Sequence, residues 1–295
     1  MSNDLPCLAP RNIQAHKGTF GTTLIIAGSK GMSGAAILSG IAALKSGSGL
    51  VRIACPASIQ TEVALGNPCY TTLALSEDKE GKFNHKAINE IATHLKNVDA
   101  VVLGPGVVAS KACEQLILHL LDLEIPVLLD ADALNSLSIY GIPSTFKNKR
   151  VVITPHPGEF ARLTRLSISD IQSNRVIHAQ TFSQKYSFTV ILKGFGTIVT
   201  DGTTVYTNST GNPGMATGGS GDVLSGIIGA LLAQGLTVFD AAKLGVYLHG
   251  LAGDFAKAKL GEHSLTALDI LTFIPDAFLA HLDACGNKAS PNLKS

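Results

Sequence analysis

The sequence predicts an α/β protein: a three-layer α/β/α sandwich whose central sheet is mostly parallel and ends in an antiparallel edge. Three observations carry this. Short β-branched runs alternate with longer Ala/Leu-rich amphipathic stretches through the first 190 residues. The strand candidates are apolar almost throughout, as expected of strands covered on both faces. The rhythm then changes to short strands joined by glycine-containing turns, the mark of hairpins.

Taken in order, strands are expected at Thr23–Ala27, Leu50–Ala54, Ala100–Leu103, Val127–Asp130, Val151–Thr154 and Thr189–Lys193. Between them, apolar residues at helical spacing predict helices over Gly34–Lys45, Lys86–Leu95, Lys111–Leu121 and Ile168–Tyr186. Thr189–Lys193, Thr197–Thr200 and Thr204–Tyr206 form the expected antiparallel edge. Three helices follow, near Gly221–Ala233, Val238–Ala258 and Thr266–Leu279. The polar segment from Asp283 to Ser295 is expected to fray. No linker, repeat or charge block divides the chain, so residues 1–295 are expected to form one domain.

Composition narrows the function classes. Of 295 residues, 23 are Lys or Arg and 22 are Asp or Glu, a formal net charge of +1. That balance excludes a nucleic-acid binder working through a general basic field. A hydrophobic content of 45% against 15% charged residues excludes a disordered chain. The most apolar stretch, Val223–Leu236, is broken by Gly226, Gly229, Gln234 and Gly235 and is too short to span a bilayer. With no basic-then-apolar leader at the start, a cytoplasmic location is expected. Cys7, Cys55, Cys69, Cys113 and Cys285 show no metal spacing and are expected as reduced, mostly buried thiols. The sequon at Asn208-Ser209-Thr210 then carries no meaning.

The strongest local signal is Gly211-Asn-Pro-Gly-Met-Ala-Thr-Gly-Gly-Ser-Gly-Asp222, running straight into an apolar helix. Its glycines let backbone N–H groups approach a ligand closely, and the helix start adds unpaired donors and a positive dipole end. Asp222 falls in the first helical turn, where an acid also simply stabilises a helix. Beside an anion-binding loop, though, it is placed to take a proton from an attacking hydroxyl. The GxxxxGK[ST] phosphate loop and the HRD and DFG elements of protein kinases are missing. Gly104-Pro-Gly-Val-Val-Ala109 has the GxGxxA form of a dinucleotide turn, but Pro105 and its isolation argue against a hydride-transfer enzyme.

Four further segments could face a ligand at the carboxyl ends of strands. Thr154-Pro-His-Pro-Gly-Glu159 offers His156 and Glu159; serving the next helix start is the plainer role for Glu159, and His156 could simply be solvated. Lys193-Gly194-Phe195-Gly196-Thr197 could line a nucleotide pocket or be an ordinary turn. Asp130-Ala-Asp-Ala-Leu-Asn135 offers two carboxylates for Mg²⁺ or water, with Asp132 equally plausible as a helix cap. Gly28-Ser-Lys-Gly-Met-Ser-Gly-Ala-Ala36 permits close ligand approach and says nothing about chemistry.

In this order, the segments resemble the ADP/ATP-dependent NAD(P)H-hydrate dehydratase family, a branch of the ribokinase-like fold. The resemblance rests on Lys17-Gly-Thr-Phe-Gly-Thr22, Ala27-Gly-Ser29 with Ser33-Gly-Ala-Ala36, Gly104-Pro-Gly106 and Asp130–Asn135. It continues through Thr154–Phe160, Lys193-Gly194, and Asn212-Pro-Gly214 with Gly218–Asp222. It spans roughly residues 10–280 and lacks the epimerase domain fused to some members, which implies the stand-alone enzyme.

The resemblance puts substrate contacts at Ala36 or Ala35, Gly106, His156, Glu159 and Asp222. It puts nucleotide contacts at Lys193, Gly194, Phe195, Gly196, Thr197, Gly218, Gly219, Ser220 and Gly221. It implies Mg²⁺ as cofactor, ADP or ATP as phosphoryl donor, and the S-form of NADHX or NADPHX as substrate. The bacterial form of the His-Pro-Gly-Glu loop favours ADP. A homo-oligomer, a homotetramer in the family, and a separate epimerase working alongside are also implied. Asp222 would be the base that lets the hydrate hydroxyl attack the terminal phosphoryl, with the helix dipole expected to depress its basicity. The alternative on the same fold is a vitamin-precursor kinase, whose phosphorylated product would accumulate; a non-catalytic nucleotide sensor is a further rival.

Overall fold

The computed structural model describes residues 5–289. In chain order the elements are β1 (Thr22–Ile26), α1 (Ser33–Lys45), β2 (Leu50–Pro56), α2 (Gln60–Gly66), β3 (Thr71–Leu75), α3 (Lys86–His94), β4 (Ala100–Leu103), α4 (Lys111–Leu121), β5 (Val127–Leu129) and α5 (Asp132–Tyr140). There follow β6 (Val151–Ile153), α6 (Pro157–Thr164), α7 (Ile168–Ser173), α8 (Arg175–Tyr186), β7 (Thr189–Leu192), β8 (Ile198–Thr200), β9 (Val205–Thr207), α9 (Ser220–Ala233), α10 (Val238–Leu260) and α11 (Ala267–Ala289).

One nine-stranded sheet has the order β3-β2-β1-β4-β5-β6-β7-β8-β9. Pairings from β3 through β7 are parallel, and β8 and β9 add as antiparallel edge strands, as the hairpin signals predict. The apolar strands feed two separate cores by strict alternation. Ile25, Val102, Leu128 and Ile191 pack with α9, α10 and α11. Their neighbours Leu24, Ile26, Val101, Leu129 and Leu192 face the opposite layer, with Leu116, Phe160 and Phe182. Successive strand residues point to opposite faces, so a continuous apolar run is what a doubly covered strand requires.

The helix α9 is buried along nearly its whole length. Two glycines make that possible. A Cβ on Gly226 would lie 2.2 Å from the Ser39 carbonyl oxygen of α1, and one on Gly229 would lie 2.4 Å from Val102 of β4. The strand order switches direction at the β1/β4 boundary, the place where open α/β sheets bind ligands, and there the loops after the two strands are joined by Gly28 N–H to Pro105 O at 2.8 Å.

Several expectations need correction. The helix expected over Ile168–Tyr186 is two helices, because Asn174 (φ −139°, ψ 46°) leaves the helical region and ends α7. The strand β3 and helix α2 were not foreseen; β3 is a half-exposed edge with no apolar run to announce it. The cysteines are not all reduced: Cys7 and Cys285 form a disulfide, Cys55 and Cys113 are buried thiols, and Cys69 is exposed. The last helix does not fray from Asp283 but runs to Ala289; the rest of the expected tail lies outside the described residues. No described helix is long and apolar enough to cross a membrane. The Asn208 side chain is buried and donates to the Val246 carbonyl, which leaves that sequon without an accessible acceptor.

Candidate active site

Loops from five segments meet over the carboxyl ends of β1, β4, β5, β6 and β7, beside the start of α9. At the centre lies Lys193, the first residue beyond β7. Its backbone N–H bonds Pro155 O at 2.9 Å. Its ammonium lies 3.0 Å from Asp130 Oδ1 and 4.0 Å from Glu159 Oε2. Burial disfavours the ammonium, but Asp130 and Glu159 outweigh it and hold the lysine above its ordinary value. Asp130 is itself buried, and its second oxygen accepts from Ser225 Oγ of α9 at 2.7 Å. The first carboxylate of the Asp130–Asn135 segment is therefore committed to Lys193. The second, Asp132, opens α5 and accepts Val108 N–H and Asn135 Nδ2. Two non-glycine residues here, Ala131 (φ 50°) and Val108 (φ 63°), sit in left-handed backbone that disfavours side chains, above all a β-branched one.

Asp222 lies in the first turn of α9, and its carboxylate makes no hydrogen bond among the described residues. Its backbone carbonyl accepts from Ser39 Oγ of α1 at 3.0 Å, which ties the loop to the helix after β1. Burial, and then repulsion from Asp130, push its acid up to about 7, with Lys193 pulling the other way. This reverses the expectation of a depressed basicity. The helix-start dipole favours the carboxylate only modestly, and lost hydration beside a second buried acid outweighs it.

The Gly218–Gly221 turn runs directly into Asp222. Gly219 caps α9 in left-handed backbone (φ 87°), and a Cβ on Gly221 would lie 3.4 Å from Lys193 Nζ. Ser220 is buried, with its hydroxyl 3.3 Å from His249 Nε2 of α10. Burial drives His249 down to about 4, so it stays neutral beneath the loop. The loop's other end is held by Asp254, also on α10, which accepts Gly211 N–H and Asn212 Nδ2, each at 2.9 Å.

His156 caps α6: Nδ1 accepts from Gly158 and Glu159 N–H, and Glu159 returns a bond to His156 N–H at 2.8 Å. Glu159 therefore serves the helix start, as its plainer reading held, while also facing Lys193; burial first, then Asp130, raises its acid. Burial, with Lys193 and Arg162, lowers His156 below its ordinary value. At the β1/β4 boundary, Gly106 (φ 67°) packs against Met32 and Ala35, and its carbonyl accepts from Ser29 Oγ at 2.7 Å. Ala36 is fully buried beneath Gly28, leaving Ala35 as the one that faces Gly106. In the β7 turn, Gly194 (φ 136°) and Gly196 (φ 62°) flank a fully exposed Phe195, and Thr197 Oγ1 closes the turn on Gly194 O at 2.9 Å.

Sequence reasoning missed His249, Asp254 and Arg175. The first two belong to His249-Gly-Leu-Ala-Gly-Asp254. His249 and Asp254 are five positions apart, and the pairs 249/253, 250/253 and 250/254, three or four apart, place all four residues along one side of the helix. Gly250 and Gly253 on that stripe meet Thr210 and Met215 of the loop, and this pattern could have flagged it.

Strand-end loops around a switch point, with a glycine-rich turn entering a buried helix, define the ribokinase-like class of α/β protein. An Enterococcus faecalis ribokinase-like superfamily protein superposes with a TM-score of 0.80 at 25% identity, covering 92% of this chain and 91% of that one. The Bacillus subtilis ADP/ATP-dependent NAD(P)H-hydrate dehydratase, co-crystallised with ATP/Mg²⁺, gives 0.82 at 28% identity, covering 95% of this chain and all of that one. Residues 23–276 match the family profile described as NAD(P)H-hydrate dehydratase, and the chain belongs to that family. It is 41% identical over 271 residues to the bifunctional NAD(P)H-hydrate repair enzyme of Moorella thermoacetica, covering 91% of this chain and 51% of that protein. It is 38% identical over 253 residues to the ADP-dependent (S)-NAD(P)H-hydrate dehydratase of Neisseria meningitidis, covering 84% and 81%. The chain thus spans about half the length of the bifunctional relatives it matches.

Proposed function

We propose that this chain restores NADH or NADPH from the S-form of its hydrate at the expense of ADP or ATP. The observation that carries the reading is Asp222: a carboxylate poised near pH 7, at the mouth of an amide-rich turn and within the field of Lys193. Hydroxide leaves poorly at neutral pH, so the hydroxyl must first become a better leaving group. In the reaction proposed, Asp222 takes the hydroxyl proton as the oxygen attacks the terminal phosphoryl, releasing AMP from ADP or ADP from ATP. The amides of Gly218–Gly221 and the Lys193 ammonium face the charge on that phosphoryl. The ester then departs as phosphate, pushed by the ring-nitrogen lone pair, and loss of a proton from the neighbouring carbon restores the nicotinamide double bond.

Among the described residues, no three His, Cys, Asp or Glu side chains are grouped to hold a metal by themselves. This donor set fits Mg²⁺ carried in by the nucleotide, since that ion keeps its waters and phosphate ligands and takes one or two carboxylates. Among the described residues the Asp222 carboxylate makes no hydrogen bond, and it would hold the ion through one of the ion's waters, which leaves the carboxylate able to take the proton. Bound there, Mg²⁺ would neutralise phosphate charge. Substrate would be met by Ala35, Gly106, His156 and Glu159, and the nucleotide by the Lys193–Thr197 turn and Gly218–Gly221. The working unit is a homo-oligomer acting beside an epimerase that supplies the S-form.

The test mixes the protein with Mg²⁺ and hydrated NADH, adding ADP or ATP in separate reactions. Return of the reduced-nicotinamide absorbance with phosphate release, dependent on one nucleotide, supports the proposal. Asp222→Asn should lose roughly 10²–10⁴ in rate. No return with either nucleotide from folded protein rejects it, and a phosphorylated product that accumulates would indicate a kinase instead.

A further inference from the structure

The turn after β7 is held from behind by a residue that the proposed chemistry does not use. Arg175 opens α8, set there by the helix break at Asn174. Its Nη2 donates to the carbonyls of Leu192 at 2.8 Å and Lys193 at 3.3 Å, and Nη1 donates to Gln172 Oε1 at 3.0 Å. Its Nε is buried without an acceptor. Among the described residues no carboxylate pairs with it, and burial alone shifts its ionisation. A guanidinium taken partly out of water usually has an acid beside it; this one gives its charge-assisted bonds to the last carbonyls of a strand.

The approach is close. A Cβ on Gly194 would lie 2.8 Å from Arg175 Nη1, so the glycine answers both its own φ of 136° and the guanidinium packed against it. Lys193 is therefore fixed at three points: its N–H by Pro155, its carbonyl by Arg175 and its ammonium by Asp130. The Arg175 contact is the one that comes from outside the sheet and its loops, and it fixes the peptide leading into Gly194–Thr197.

We propose that Arg175 is a positioning residue for the phosphoryl donor, holding the Lys193–Thr197 turn in the shape that receives the nucleotide. It touches neither substrate and acts through the two carbonyls it binds. The inference rests on the proposed function in taking that turn as the nucleotide side of the site. Its mark is selective: weakening the clamp should loosen nucleotide binding and leave binding of the hydrate intact. A residue that only supported the fold would lower the melting temperature without separating the two substrates.

The test compares wild type with Arg175→Met, which keeps the aliphatic stem, and Arg175→Lys, which keeps the charge without the planar fork. Gly194→Ala attacks the same contact from the other side. The readouts are KM for the nucleotide, KM for hydrated NADH, kcat, ADP affinity by calorimetry, and the melting temperature. Arg175→Met and Gly194→Ala are expected to raise the nucleotide KM and the ADP Kd by roughly tenfold or more, with the hydrate KM within about twofold. Arg175→Lys should fall between them and wild type. Nucleotide KM and ADP Kd unchanged in folded Arg175→Met, or both substrates' KM rising together, overturns the inference. If Arg175→Met does not fold, Arg175→Lys and Gly194→Ala are judged by the same two outcomes. Wild type that turns over nothing fails the proposed function alone, and ADP affinity then still decides whether Arg175 shapes the turn.

Discussion

Replacing Asp222 by asparagine should disable the protein and stabilise it, and the stabilisation should grow with pH. The ordinary value of this acid is 3.8, and burial with the neighbouring Asp130 raises it to about 7 in the folded chain. Between those values the folded state binds a proton that the unfolded state has released. Stability from this group is therefore full below pH 3.8 and is lost as pH rises through about 7. Integrating the difference in bound protons gives a loss of roughly 2 kcal/mol by pH 5 and roughly 4 kcal/mol by pH 9. Asparagine has nearly the same shape and does not titrate, so the variant's advantage should widen by roughly 3 kcal/mol between those two pH values. Urea unfolding of both proteins at pH 5 and pH 9, without nucleotide, measures it. An advantage that stays flat across that range would refute the account of Asp222 as a carboxylate destabilised by its surroundings.

With Asp222 as the proposed base, the same ionisation predicts that kcat/KM climbs tenfold per pH unit below about 7 and levels off above it, because the carboxyl must be deprotonated to accept the proton; a rate–pH profile between 5 and 9 checks this. His249, held down at about 4 against an ordinary 6.5, acts oppositely. The unfolded chain gains a proton there that the folded chain refuses, so stability should fall by roughly 3 kcal/mol as pH drops from 6.5 to 4. His249→Gln should flatten that acid limb in melting curves. At the α1/α9 crossing, Gly226→Ala would place a methyl 2.2 Å from the Ser39 carbonyl and should cost roughly 1–3 kcal/mol, lowering both the melting temperature and the turnover that depends on Asp222. Unchanged melting in that variant would mean the two helices part more easily than their packing implies.

What could be read in the sequence was what local chemistry fixes. The buried strands announce themselves as apolar runs because both faces are covered, and the antiparallel edge as short strands between glycine turns. The edge strand β3, open to solvent, carries no such pattern. Asp222 and the glycine turn are legible because they adjoin in the chain. The ion pair of Lys193 with Asp130 is not, since 63 residues separate them and only the β5-β6-β7 order brings them together. The basicity of Asp222 was misjudged for the same reason: a helix start is visible in the sequence, whereas a second acid and a dry environment are products of the fold. The Cys7–Cys285 bond joins residues 278 apart, a distance over which sequence offers no pairing rule.

The order in which the chain leaves the ribosome sets a problem that α9 solves late. β1 and β4 are complete by residue 103, yet the helix that seals their inner face begins at Ser220, and Gly229 comes to rest against Val102 and Thr23. At ordinary elongation speeds the nascent chain waits on the order of 5–25 s between making that apolar surface and making its cover. Any product ending before Gly211 would keep the surface bare and lack the glycine turn and Asp222 as well, so messenger truncation or slow translation should yield aggregates rather than a partly active fragment. A protein expected to mend damaged molecules thus spends its own synthesis in a state that needs protection.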